Sequence, residues 1–226
     1  VIRFFYNLSP NPMKVALCLE ELGLPYEPVP VDPRKGEQFD PAYTALNPNA
    51  KVPTIVDGDV TVFDSNAILL YLAGKTGLFL PEGEPVRGEM LSWLMFVATG
   101  IGPFSGQCVH FRHFAPNGGT YATERYAFEA RRHWDILNTR LADRAYVLGE
   151  TYTIVDMAVW GWARMVPFVL GEDAFAALPH VKRHLDGINA RPAAQAAEAL
   201  KNRHTFKAEM DDAARNFMFR AGQNAA

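Results

Sequence analysis

Cysteine is scarce in this chain: Cys18 and Cys108 are the only two among 226 residues. So few, and so far apart, they exclude the disulfide framework of a small secreted domain. Long apolar runs are missing as well, and none approaches the roughly 20 residues that a bilayer-crossing helix needs. Charge of one sign is also lacking, since 22 Lys+Arg against 25 Asp+Glu leave a formal charge of −3. With no block of like charge to offset that balance, the electrostatic footprint of a nucleic-acid binder is absent. The opening Val1-Ile2-Arg3-Phe4-Phe5-Tyr6 has neither the long apolar core nor the small-residue cleavage site of a signal peptide, and it suits a first strand. The missing initiator Met points to processing or trimming. The expectation is a soluble, cytoplasmic protein with neither a membrane nor a nucleic-acid partner. What is there is an ordinary globular composition, 49% hydrophobic and 21% charged. The length allows one large domain or two small ones.

Two textures divide the chain. Over residues 1–80 short apolar runs alternate with helical stretches. Residues 1–6 read as a strand and 12–22 as a helix, because Val15, Cys18, Leu19 and Leu22 recur at helical spacing. Gly23 tolerates the left-handed exit that stops that helix. Residues 26–31 suit a second strand, and 52–56 and 60–63 are β-branched runs around Asp57-Gly58-Asp59, a hairpin signal. Asp64-Ser65 then opens an apolar helix over 67–73. A helix between strands predicts a parallel pair, and the hairpin adds antiparallel strands.

Pro81-Glu82-Gly83-Glu84-Pro85 breaks any periodic element, so 81–88 is assigned as a linker between residues 1–80 and 89–226. Beyond it the signals are helical: 87–100, then 121–141 with Tyr126, Ala130, Trp134 and Leu137 on one face. Thr153-Ile154-Val155-Asp156 fits a capping box before a helix over 157–166. A further helix over 178–190 ends at Arg191-Pro192, and Phe206, Met210, Ala214 and Phe217 space the last twenty residues amphipathically. The expected fold class is α/β plus all-α, a βαβ-α-ββα unit followed by an all-helical domain.

Three places carry candidate chemistry. Ser9-Pro10-Asn11-Pro12 lies between the first strand and first helix, where unpaired N–H groups and the helix dipole favour an anion. In a thioredoxin-like unit a Cys-Pro-x-Cys pair would stand there, and Ser9 and Pro12 replace both cysteines. Thiol chemistry would then use a thiol that arrives with a ligand, whereas the plainer alternative is a helix cap. Lys51-Val52-Pro53 is either a strand-start proline or a cis bond that presents the Val52 backbone to an extended ligand. Asp64-Ser65 is either a helix cap or a site where Ser65 takes a carboxylate and Asp64 an amine.

The order strand, Ser9-Pro10-Asn11, helix, Asn47-Pro48-Asn49-Ala50-Lys51-Val52-Pro53, hairpin, Phe63-Asp64-Ser65-Asn66-Ala67-Ile68, Tyr71-Leu72 resembles the glutathione S-transferase family. The helical second half and its Thr-Ile-Val-Asp box agree, so that the resemblance covers residues 1–200. Gly36-Glu37-Gln38-Phe39, Leu69-Leu70-Tyr71-Leu72-Ala73 and Tyr121-Ala122-Thr123-Glu124-Arg125-Tyr126 are similar to the bacterial Nu-class and Ure2-like group of that family.

That resemblance implies a thioredoxin-like glutathione-binding domain, a helical domain and a homodimer. It implies glutathione as co-substrate, as two molecules or as glutathione disulfide, with no metal, and a disulfide-bond reductase activity. The second substrate is then a small disulfide. One alternative is conjugation, or thiolytic ether cleavage, of a hydrophobic electrophile against a wall formed by Phe104, Phe111 and Trp160. A second is a non-catalytic binding protein on the same fold. Ser9, Asn11 and Arg125 fall on the group's catalytic positions, with Ser for the usual Thr, and Pro12 removes a backbone N–H beside the thiols. Val52 beside Pro53 is assigned to the cysteinyl backbone, Ser65 and Asp64 to the γ-glutamyl end, and Lys51 and Gln38 to the glycyl end. A free thiol has a pKa near 8.5, and lowering it by about two units takes roughly 2.7 kcal/mol. The Ser9 hydroxyl, the Asn11 amide and the helix dipole contribute about 1 kcal/mol each.

Other candidates read as ordinary structure. His110 and His113 are three apart but lack a third metal ligand, and read as surface or interface. Cys18 falls on an apolar helix face and reads as inert core, while Cys108 near the cleft is open to an accidental redox role. Arg131-Arg132-His133 and Lys182-Arg183-His184 read as solvated helix faces. The Phe and Met residues over 206–219 either cover the active site or pack on a partner subunit.

Overall fold

Strand β1 (Ile2–Tyr6) organises the first half of a computed structural model that describes residues 1–115 and 119–219. Its side chains alternate: Ile2, Phe4 and Tyr6 enter the main core, while Phe5 joins Val31 and Tyr43 on the opposite face. Helix α1 (Pro10–Glu21) crosses over to β2 (Tyr26–Pro30), which lies parallel to β1 with Ile2 opposite Tyr26. After the short α2 (Pro41–Leu46), β3 (Thr54–Asp57) runs antiparallel to β1, and β4 (Val60–Phe63) closes the hairpin. Gly58, at φ +61°, supplies the left-handed turn residue between them. The strand order is β2-β1-β3-β4, and α3 (Ser65–Thr76) packs beside α1. This is the thioredoxin-like arrangement expected.

The assigned linker 81–88 is corrected: α4 (Glu84–Phe96) begins inside it, with Pro85 in the first turn, where a missing N–H costs nothing. The helix then continues through a π-helical stretch, Val97–Ile101, into α5 (Gly102–Val109) and a second π stretch, His110–Phe114. Helix α6 (Thr120–Arg140) packs along α5, and α7 (Ile154–Ala163) is buried on every side. Helices α8 (Val166–Leu170), α9 (Pro179–Asn189) and α10 (Pro192–Ala199) follow. The Arg191-Pro192 break is therefore a boundary between two helices, because Pro192 starts α10.

The Thr153–Asp156 capping box is present, and Asp156 does more than cap. Its other oxygen accepts from Val147 N and from His184 Nε2, both at 2.9 Å. His184 is thus 3% exposed rather than solvated. His133 is also buried, its Nδ1 bonded to Glu129 O at 2.7 Å. A single helix covers only part of the predicted amphipathic tail: α11 (Asp212–Phe219). Phe206 and Met210 precede it in chain without regular secondary structure, and residues 220–226 lie outside the described residues.

The halves share one core because α1 lies between the sheet and α7 and is buried from Pro12 to Leu19. The approach is close at Gly161, where a Cβ would sit 2.5 Å from both Lys14 Cγ and Pro10 O. Only glycine fits there, and its neighbour Trp162 is thereby brought to the first turn of α1.

Candidate active site

Two cavities flank the N-terminus of α1. One, of about 320 Å³, is lined by Asn11 and Lys14 of α1, Ser65 and Asn66 of α3, Gln107 of α5 and Trp162 of α7, with Lys51 at its edge. The other, of about 370 Å³, is lined by Ser9, Asp32, Arg34, Phe206 and Met218. Ser9 and Asn11 are therefore neighbours in sequence on different cavities.

Asn11 Oδ1 accepts the indole N–H of Trp162 at 3.0 Å. Because that N–H can only donate, the bond fixes the amide's orientation and leaves Nδ2 with its two donors for a ligand. Ser9 is the N-cap of α1, but its hydroxyl donates to Asn7 Oδ1 at 2.6 Å, and its own N–H bonds the same oxygen at 2.9 Å. The Ser9 proton assigned to a thiolate is thus already given to Asn7.

Opposite Asn11, Asp64 caps α3 in the left-handed region at φ +72°, its Oδ1 accepting from Asn66 N at 2.9 Å and Ala67 N at 3.2 Å. Ser65, 4% exposed, receives the amine of Lys14 on its Oγ at 3.3 Å. Lys14 is 1% exposed, and burial pushes its amine down to about 7, with the Asp64 charge acting against that shift. Sequence reasoning missed Lys14. Its one signal was a single charge inside the otherwise uncharged run from Pro12 to Leu19.

The loop before β3 is fixed by its own polar contacts. Tyr43 Oη and Asn47 Nδ2 both donate to Lys51 O, at 2.7 and 2.6 Å, and both also bond Thr54 Oγ1. The Val52–Pro53 bond is cis, and among the described residues the Val52 N–H and C=O make no hydrogen bond.

Other expected site residues lie elsewhere. Gln38 is buried, with Nε2 donating to Pro33 O at 3.3 Å and Phe217 O at 3.4 Å, so its amide faces α11. Arg125 forms an ion pair with Glu129 at 2.8 Å and lies over the Phe128 ring, half exposed on α6. Phe111 stacks on Tyr126, and Phe104 packs at a tilt against Tyr126 and His133. Among the described residues, none of these four lines the cavity that holds Asn11. Trp160 is corrected outright. It is fully buried with its N–H on Asn189 Oδ1 at 2.8 Å, and two positions along the same helix Trp162 points to the site instead.

Both cysteines are withdrawn from chemistry. Cys18 is fully buried, and burial drives its thiol far up. Cys108, the candidate for redox accident, is 2% exposed, donates to Val169 O at 3.3 Å and is likewise raised by burial. His110 and His113 turn to different rings, Phe219 and Phe168. The C-terminal segment seats on its own chain. Asp32 accepts from Lys207 N at 2.6 Å, Arg34 donates to the Lys207 and Ala208 carbonyls, and Phe217 packs on Gly36.

Comparison with known proteins finds matches to both halves of the chain. The family model described as glutathione S-transferase, N-terminal domain, matches residues 8–75, and that described as glutathione S-transferase, C-terminal domain, matches 122–192. The disulfide-bond oxidoreductase YfcG of Escherichia coli strain K12 is 40% identical over 200 residues, 85% of this chain and 92% of that protein. A glutathione transferase family member from Pseudomonas fluorescens pf-5, solved with two glutathione bound, superposes with a TM-score of 0.82 at 37% identity, covering 87% of this chain and 92% of the other. A glutathione transferase from Pseudomonas putida, solved with one glutathione disulfide per subunit, gives 0.80 at 33% identity, covering 87% and 90%. The chain belongs to the glutathione S-transferase family.

Proposed function

We propose that this chain is a glutathione-dependent disulfide-bond reductase in which bound glutathione supplies every reacting thiol. One observation carries this: both cysteines are buried, while an oriented amide, Asn11, stands at the N-terminus of α1 where a redox cysteine pair would otherwise lie. The kinship with a protein named disulfide-bond oxidoreductase, and with structures holding two glutathiones or glutathione disulfide, supports the same choice.

An extended glutathione is assigned with its cysteinyl backbone on the free N–H and C=O of Val52 beside Pro53, and its γ-glutamyl carboxylate on Ser65. Asn66 and Asp64 face the amine, and Lys51 takes the glycyl end. Asn11 Nδ2 and the α1 N-terminus then hold the thiolate at about 1 kcal/mol each. Without the Ser9 share that sum, about 2 kcal/mol, lowers the thiol by roughly 1.5 pKa units, to near neutrality. Gln38 stays with Pro33 and Phe217, and Arg125, held by Glu129, is assigned no step.

The reaction balances on two thiols. One bound thiolate attacks the substrate disulfide, forming a mixed disulfide and releasing one substrate thiolate. A second glutathione thiolate attacks the glutathione sulfur of that mixed disulfide, releasing the other substrate thiolate and leaving glutathione disulfide. Two electrons pass to the substrate, and the two glutathione protons end on its thiols.

No apolar wall formed by Phe104, Phe111 and Trp160 faces Asn11 among the described residues, which sets conjugation of a hydrophobic electrophile second. We further propose a homodimer, since Phe63, Leu91, Met95, Phe128 and Ile136 are exposed, and a reducing cytoplasmic setting, since both cysteines are free. Among the described residues no helix is long and apolar enough to cross a membrane. The test is glutathione-dependent reduction of a small dialkyl disulfide, followed as glutathione disulfide formed. Turnover is expected. Turnover of an aryl halide alone would favour conjugation, and no glutathione binding at millimolar concentration would leave a non-catalytic module.

A further inference from the structure

A buried lysine amine in a ligand cavity needs a reason. Lys14 is 1% exposed, sits on the first turns of α1 and reaches Ser65 Oγ at 3.3 Å under the floor of the cavity. Burying an amine costs free energy unless something compensates its charge, and the ordinary escape is to shed the proton. The surrounding charges compensate little. Asp64 on α3 is the one group whose charge acts on Lys14, and it is itself the cap of α3. Lys51 lies across the same cavity with like sign.

The remaining charged groups on α1 and the elements packed against it have other partners: Arg3 of β1 lies over the Phe5 ring, and Glu20 of α1 accepts from Tyr26. Arg164, which caps α7, pairs with Glu198 of α10, Arg191 with Glu21, Lys75 of α3 with Asp57, and Asp156 with His184. Where α7 meets Lys14 it presents Gly161, which is not titratable. The same floor carries a second unmet polar group: Asn66 Oδ1 is buried and has no partner among the described residues. An amine whose burial outweighs the Asp64 charge and an acceptor without a donor, lining one cavity, match the carboxylate and ammonium of an amino-acid head.

We propose that Lys14 is a positioning residue for the acid end of the ligand: its amine takes up a proton when the ligand carboxylate docks, and as an ammonium, which can only donate, it occupies a lone pair of Ser65 Oγ and turns the Ser65 proton toward that carboxylate. This rests on the glutathione reading above and extends it to a group that touches no ligand atom. A hydroxyl has one proton and two lone pairs, so holding the oxygen from behind sets where the proton goes. Docking brings a negative charge next to a group that at pH 8 is mostly neutral, given an amine held at about 7. Opposite charge favours the protonated form, so binding and protonation are linked.

Calorimetric titration of the wild type with S-methylglutathione at pH 8, in two buffers of different ionisation enthalpy, counts the protons exchanged. The methylated sulfur removes the ligand thiol from that count. Uptake of more than about half a proton per site is expected for the wild type. Lys14→Met, which keeps the length and removes the amine, is expected to show none and to bind about tenfold more weakly. Binding by the wild type without uptake overturns the proposal whatever the variant does. Uptake that persists in Lys14→Met assigns the proton elsewhere and overturns it too. No binding of S-methylglutathione to the wild type at millimolar concentration overturns the glutathione reading itself, a distinct result.

Discussion

Trp162 donates its indole N–H to Asn11 Oδ1 across 3.0 Å, from α7 to the first turn of α1. A residue of the helical half thereby sets the direction of an amide on the sheet half. The amide nitrogen left over is the donor proposed for the thiolate, and on that proposal the chemistry of the site depends on how the two halves are docked.

Trp162→Phe removes the indole N–H and keeps most of the packing. The amide is then free to present its oxygen to the thiolate, which repels it. We expect kcat/KM for disulfide reduction to fall about five- to tenfold, with the bound thiol's pKa raised by about half a unit or more. A pH–rate profile that keeps its acid limb in place would show that the indole only packs.

Asn11→Ala and Ser9→Ala should differ in cost. Asn11 loses its hydrogen bond to the thiolate, about 1 kcal/mol, or roughly fivefold in rate. Ser9 gives its proton to Asn7 at 2.6 Å and should cost less than about threefold. Steady-state kinetics of the two variants decide this, and equal losses or the reverse order would contradict it.

Gly161→Ala places a methyl 2.5 Å from Lys14 Cγ and Pro10 O. The backbone oxygen cannot swing aside, so α7 must move off α1. A loss of about 1–3 kcal/mol in urea unfolding is expected, with weaker glutathione binding because Trp162 moves with its neighbour. Unchanged stability and affinity would mean that the interface is looser than this contact implies.

Lys14 also makes stability depend on pH. Its folded value of about 7 lies below the unfolded value, so between those two pH values the unfolded chain binds more protons. Stability contributed at this site therefore rises as pH goes from about 7 to about 10, by up to roughly 1.4 kcal/mol per unit. Urea melts of wild type and Lys14→Met across that range isolate the effect. Lys14→Met should be the more stable of the two near pH 7, and the gap should close toward pH 10. A gap that stays constant would contradict a buried neutral amine.

What was legible in the sequence follows from where local pattern carries the information. The β1, β3 and β4 strands alternate or punctuate themselves with Gly58, and Thr153 and Asp156 cap α7 through contacts only three residues apart. The place of Asn11 at the head of α1 was legible because a helix N-terminus and a short motif coincide. Trp162 was not separable from Trp160, since α7 is buried all round and its periodicity marks no face. Lys14 was hidden because a lysine on a helix ordinarily reaches water, and here Gly161 of a distant helix closes the exit. The placing of Ser9, Gln38 and Arg125 depended on partners as varied as Asn7, Phe217 and Glu129, and side-chain choices of that kind leave no spacing to read.

On the proposed function every reacting thiol comes from glutathione and none from the protein. The direct measurement is glutathione-dependent reduction of a small dialkyl disulfide by the Cys18→Ala/Cys108→Ala double variant beside the wild type. Because both cysteines are buried, we predict turnover within about twofold of wild type once folding is matched by circular dichroism, since buried thiols are inert. A folded double variant that binds glutathione but no longer reduces the disulfide would show that a protein thiol takes part in the reaction.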